Sequence, residues 1–177
     1  LAEKMWEAQQ NFENVLDYSS DIIVICDISG NIMTANKAFL NLLGYSLDEV
    51  AGRHIVEFAA FREGDYPCTT GETVTIDETY INSMPLYSLQ LFERGHVNYE
   101  SHLVTKNGVL VPFDISMSLL RDKQGERRGS LVIARDITKR TVADQELAAK
   151  TRDLQQAKEQ IERLIDASID PIVIGDR

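Results

Sequence analysis

From Arg135 to Ala167 the chain reads RDITKRTVADQELAAKTRDLQQAKEQIERLIDA, with neither glycine nor proline. Ala, Glu, Gln, Lys, Leu and Arg dominate, the residues that lose least on entering a helix. Leu147, Leu154 and Ile161 recur every seven residues, and Ala143, Lys150, Ala157 and Leu164 form a companion row. A seven-residue apolar repeat with charged flanks specifies a coiled coil. A helix of this length cannot fold back into a small core. The apolar run Leu131 to Ala134 leads into it, so a β-rich module empties into a coiled-coil helix. Lys150 in a seam position weakens the seam and helps to fix its register.

The net charge of −10 argues against nucleic acid, whose phosphates need a basic face, and against an anionic membrane surface. No run approaches the roughly 18 apolar residues of a membrane helix. Two cysteines are too few for a disulfide framework and fit a reducing, cytoplasmic setting. The chain opens on Leu1 and reads as a piece of a longer one.

Residues 1–18 have a helical pattern, with Met5 and Phe12 seven apart. Residues 21–26 form a continuous apolar strand, and Asp27-Ile28-Ser29-Gly30 is turn chemistry before a returning strand at 31–35. Asn36 is placed to cap a helix over 37–43, with Gly44 after its end. Ser46 and Glu49 have capping-box spacing, and 53–60 suits a short helix with Ile55, Val56 and Phe58 inward. Over 61–95 the pattern is weaker. Val74 and Ile76 alternate like a strand, although a helical turn fits the segment equally, and Ser83 ahead of Pro85 suggests a helix start with Leu86, Leu89 and Phe92 on its inner face. Three strands follow at about 96–106, 109–120 and 130–137, the first two joined by Asn107-Gly108. The fold class is α+β, one antiparallel sheet with short helices on one face.

The tail restates the beginning. Shifted by 149 residues, Asp17, Ser19, Asp21, Ile23, Val24, Ile25 and Asp27 match Asp166, Ser168, Asp170, Ile172, Val173, Ile174 and Asp176. The heptad rows keep the same register, with Met5, Phe12 and Val15 matching Leu154, Ile161 and Leu164. A period of one domain plus its linker implies modules in series.

Asp27-Ile-Ser-Gly-Asn31, Asn36-Lys-Ala-Phe39, Gly44-Tyr-Ser46 with Glu49 and Gly52, Lys106-Asn-Gly108 and Asp136-Ile-Thr138 appear in that order. Together they resemble the PAS family of sensory modules over roughly residues 10–140. The resemblance implies a five-stranded antiparallel sheet, a pocket between sheet and helices, and output through a C-terminal helix to kinases, cyclases or further PAS modules. It divides the chain into an N-terminal helix at 1–19, a sensor domain at 20–138, a coiled-coil linker at 139–168, and the first strand of a second module at 169–177. The stretch 61–95 is longer than the family pattern.

Cofactor chemistry leaves marks that can be looked for. Flavin-adduct relatives carry a reactive cysteine where this chain has Ile55, which excludes that adduct. Haem relatives use a histidine ahead of the third strand, and none lies between His54 and His96. Pro67-Cys68-Thr69 faintly resembles a chromophore-attachment tripeptide, but residues needed to hold the chromophore are missing. His96, Glu100 and His102 share a strand face without an evident fourth metal ligand. No phosphate loop or nucleophile–base signature is present, so enzymatic activity and metal binding are not expected.

The expectation is therefore a sensor domain with no cofactor, holding a small non-covalent ligand near Leu86, Leu89, Phe92, Tyr99, Phe113, Ile115 and Met117. The resemblance assigns signal transmission to Asp136, Ile137 and Thr138. A parallel homodimer would form along Met5, Phe12, Leu147, Lys150, Leu154, Ile161 and Leu164, with further sensor and output domains in the same chain. The alternative is a ligand-free dimerisation module that spaces other domains, and a third reading is a haem- or chromophore-based redox or light sensor.

Overall fold

The computed structural model describes residues 2–169, excepting the side chains at positions 2, 3, 5, 8 and 169. The Met5 side chain thus lies outside the described residues. So does the strand expected within 169–177, apart from Ile169, which ends a helix. The chain divides into two compact units, one ending at Thr138 and one beginning at Lys139.

The first unit opens with helix α1 (Ala2–Tyr18), strand β1 (Ile22–Cys26) and strand β2 (Ile32–Ala35). Helices α2 (Lys37–Leu43) and α3 (Leu47–Val50) follow, then a single 3-10 turn at Ile55–Phe58. Strands β3 (Gly64–Pro67) and β4 (Thr73–Ile76) precede α4 (Glu78–Arg94). Strands β5 (His96–Val104), β6 (Leu110–Arg121) and β7 (Arg127–Asp136) complete it. The architecture is α+β: a five-stranded antiparallel sheet in the order β2-β1-β7-β6-β5, with β3 and β4 as a separate hairpin.

The caps act where their chemistry allows. Asn36 Oδ1 accepts from the backbone N–H of Phe39 at the start of α2. Gly44 ends that helix at φ 79, a conformation that side chains resist. The Ser46 backbone N–H donates to the Glu49 carboxylate, as in a capping box. Gly129 has a different reason. A Cβ there would stand 2.0 Å from the Cys26 carbonyl oxygen, so β7 can lie against β1 only as glycine.

The core forms where alternating strand positions meet the short helices. Ile22, Val24 and Cys26 of β1, Phe113 and Ile115 of β6, and Val132 and Ala134 of β7 are buried against Phe39, Leu43, Val50 and Phe58. A smaller cluster of Ala60, Cys68, Ile76 and Leu110 seats the β3–β4 hairpin. Bridges from Ala59 to Leu103 and from Cys68 to Leu110 tie this irregular stretch to the sheet.

The expected start of α4 at Ser83 is corrected. The helix begins at Glu78, because Asp77 accepts from the Tyr80 N–H at 2.8 Å and supplies the cap. Ser83 sits mid-helix, its hydroxyl donating to the Tyr80 carbonyl, and Pro85 lies in the interior. The second unit is α5 (Thr138–Ile169) from Lys139 onward. Its Leu147, Leu154, Ile161 and Leu164 are all more than half exposed.

Candidate functional site

Alternation along four strands brings small and medium apolar side chains to one face of the sheet. Ile22 and Val24, Tyr99 and Leu103, Ile115 and Met117, and Val132 and Ala134 meet a helical layer that does not fill the space. A cavity of about 350 Å³ results, closed on the other side by Phe39, Ile55, Val56, Ala59, Phe61 and the Met84, Pro85, Tyr87 and Ser88 row of α4. That volume falls within the range of about 300–1,000 Å³ typical of small-molecule sites. No side chain in its wall carries a charge at neutral pH, and neither cysteine lines it.

Two of the polar side chains in the wall, Tyr99 and Ser101, hydrogen-bond within the protein. Tyr99 stacks on Tyr87 with ring centroids 3.9 Å apart, and its hydroxyl donates to the Met117 thioether. Burial, aided by Tyr87 and Tyr80, pushes the Tyr99 phenol up to about 12, so it stays neutral. Ser101 Oγ lies 2.9 Å from the Tyr80 hydroxyl and donates to Met84 sulfur. Tyr80 also accepts from the His102 backbone N–H. Burial lowers the His102 pKa from its usual value. The surface of the cavity therefore offers shape and dispersion more than hydrogen bonding.

Tyr99, Ile115 and Met117 line the cavity as residues, whereas Phe113 is fully buried in the core beside it. Leu86, Leu89 and Phe92 do not line it and are about half exposed. This corrects the inner face expected for α4. The helix sets Met84, Tyr87 and Ser88 along the cavity wall and buries Leu91, a row offset from the expected one. Sequence reasoning also passed over Ser101 as a wall residue, although alternation with Tyr99 and Leu103 in β5 placed it there.

His54 caps the 3-10 turn, its Nδ1 accepting from the Val56 N–H, and Ile55 presents an unreactive side chain to the cavity. His102 engages Tyr80. Among the described residues, no group of three or more His, Cys, Asp or Glu side chains is placed to hold a metal ion. Burial pushes the Cys26 thiol up to about 11, keeping it protonated.

At the end of β7 the three junction residues act differently. Asp136 Oδ1 accepts from the Thr138 N–H at 2.8 Å. Ile137 is buried and its N–H donates to the Pro112 carbonyl. The Thr138 hydroxyl lies 2.7 Å from that of Thr69, in the turn between β3 and β4. Nothing in the local sequence around Thr69 announces this contact, which spans 69 positions.

Residues 20–139 match the PAS domain family, covering well over half of the chain. The chain belongs to the PAS domain family. Its PAS domain is a sensory module and not a catalytic one. A sensor histidine kinase, TmoS of Ectopseudomonas mendocina, is 24% identical over 158 residues, which are 88% of this chain and 15% of that protein. The chain thus spans about one seventh of that relative's length. Among solved structures, a PAS domain from Colwellia psychrerythraea is 23% identical with a TM-score of 0.58, covering 75% of this chain and 98% of that one. The PAS domain of an HTR-like protein from Haloarcula marismortui is 24% identical with a TM-score of 0.56, covering 77% and 97%. Among the described residues no helix is long and apolar enough to cross a membrane.

Proposed function

We propose that this PAS domain senses a small, uncharged, largely apolar molecule held without a covalent bond in the 350 Å³ cavity. One observation carries the reading: a mainly apolar space of ligand size whose wall has no charged side chain and whose Tyr99 and Ser101 hydroxyls are already paired. A charged ligand entering it would lose its hydration without compensation. An apolar one would gain about 25 cal/mol for each Å² removed from water. No cofactor is needed for this, and Ile55 offers no thiol to a flavin.

The signal leaves through Asp136, Ile137 and Thr138 into α5. There Leu147, Leu154, Ile161 and Leu164 pair with a second copy, and Phe12 with Met5 does the same ahead of the domain. The likeness to a sensor histidine kinase supports a two-component setting in the cytoplasm, with a further PAS module and a kinase or cyclase later in the full protein.

The test is mass spectrometry of solvent extracts from purified protein, together with methyl NMR of Met84 and Met117 during titration with hexanol. A co-purified apolar compound, or saturable shifts at those methyls with Met33 unmoved, is the expected result. No extractable compound and no shift leaves the ligand-free dimerisation module, which the exposed row on α5 favours.

A further inference from the structure

A second hollow of about 190 Å³ lies beside the apolar cavity. The two share four wall residues: Ile55, Val56, Ser88 and Met117. Those side chains contribute to both walls. The chambers differ in chemistry. The inner one is apolar, whereas the outer one is lined by Asp27, His54, Arg127 and Ser130 among others.

Three features of the outer chamber set what it accepts. The Asp27 carboxylate already takes hydrogen bonds from the Ser29 and Asn31 N–H groups and the Asn31 amide, so most of its acceptor capacity is used within its own turn. The Arg127 guanidinium lies 5.0 Å over the Phe92 ring and donates to the Phe92 carbonyl. With one carboxylate and one guanidinium in the same wall, the chamber has no single sign of charge to select an ion. His54 differs from both. Its Nδ1 accepts from the Val56 N–H, which places the ring proton of the neutral form on Nε2, a donor with no hydrogen-bond acceptor among the described residues. A Cβ at position 30 would stand 2.6 Å from that Nε2, so only glycine there lets the ring lie against the turn.

We infer that the ligand site runs through both chambers and is built for an apolar molecule with one uncharged hydrogen-bonding end. The apolar body occupies the inner chamber, the polar end accepts from His54 Nε2 in the outer one, and Ser88 and Met117 set the width of the passage. This rests on the sensing function proposed above. Met117 is pinned by the Tyr99 hydroxyl at 3.4 Å, so the passage has a fixed wall on the sheet side. Ser88, on α4, is exposed and small, and is the natural place to narrow the passage without disturbing the fold.

Primary alcohols test the inference by chain length. Hexanol and decanol are titrated into the full chain, read at the Met84 and Met117 methyls and at the His54 ring. Each buried methylene contributes about fourfold in affinity, so decanol should bind far more tightly than hexanol and alone should move the His54 signals. Ser88→Leu should weaken decanol at least about tenfold more than it weakens hexanol. His54→Asn, which retains a capping oxygen for Val56, should lower decanol affinity but not that of decane. Hexanol shifts at Met84 without any His54 response to decanol would overturn the two-chamber site and leave the sensing function standing. Equal losses of both alcohols in Ser88→Leu would overturn it as well. No response of Met84 to either alcohol would overturn both.

Discussion

The side-chain amide of Asn36 donates to the carbonyl of Leu16 at 2.9 Å, fastening the last turn of α1 to the start of α2. The same amide donates to the Asp21 carbonyl, and its oxygen accepts from the N–H groups of Ile23 and Phe39. One buried residue thus holds four backbone groups from three elements. Asn36→Leu strands those groups and should cost about 2–4 kcal/mol. Urea unfolding checks it: the midpoint should fall with an unchanged slope. A loss below about 0.5 kcal/mol would mean that water or rearrangement replaces the bonds.

Phe113 separates stability from ligand binding. It is fully buried but does not line the cavity. Phe113→Ala should destabilise by about 3–5 kcal/mol, as for other large aromatic deletions. Hexanol affinity, measured where the variant is still folded, should stay within about twofold of the parent. A large loss of affinity would place Phe113 in the site after all.

Acid should weaken the domain in two stages. Burial lowers the His102 pKa from 6.5, so below that value the unfolded chain binds the proton first and stability falls with pH. The Lys106 ammonium, and then the Ser46 N–H, hold the Glu49 carboxyl at about 2 rather than 4.5. Its contribution is present above 4.5 and is lost as pH falls from there toward 2. Thermal midpoints against pH should show both steps. His102→Gln should remove the upper one and Glu49→Gln the lower. Persistence of the upper step in His102→Gln would assign it elsewhere.

The α5 row should assemble. Leu154, Ile161 and Leu164 are exposed in the single chain and each would contribute about 1.5–3 kcal/mol on burial against a partner. Lys150→Leu should tighten the dimer and fix one packing of the seam, and Leu154→Glu should dissociate it. Light scattering at micromolar concentration reads the mass directly. A parent chain that stays monomeric there removes the dimer.

Much of the fold was legible because its signals are local. Asp27 to Gly30, Asn36, Gly44, the Ser46–Glu49 pair and Asn107-Gly108 each fix a turn or a helix end within a few residues. Two of the three long strands follow from alternation, at 96–106 and 109–120, and the third from its apolar run at 131–134. What stayed hidden depends on tertiary choice. Helix α4 has apolar residues around much of its circumference, so periodicity alone did not decide between Leu86, Leu89, Phe92 and the row that faces inward. Pro85 drew the expected start forward, while Asp77 held the actual cap. The β3–β4 hairpin is four residues a side, and its seat on Leu110 is a contact that no local pattern encodes. The cavity follows the same logic: its wall residues are ordinary strand and helix positions, and only their assembly leaves room.

Ile22, at the beginning of β1, pairs directly with Ala134, near the end of β7. The polypeptide therefore enters and leaves this domain on neighbouring antiparallel strands, about 5 Å apart. A fold whose two ends meet can be spliced into a longer chain, copied or excised without unthreading anything around it. The 149-residue echo of Asp17 to Asp27 at Asp166 to Asp176 is what such copying would leave behind.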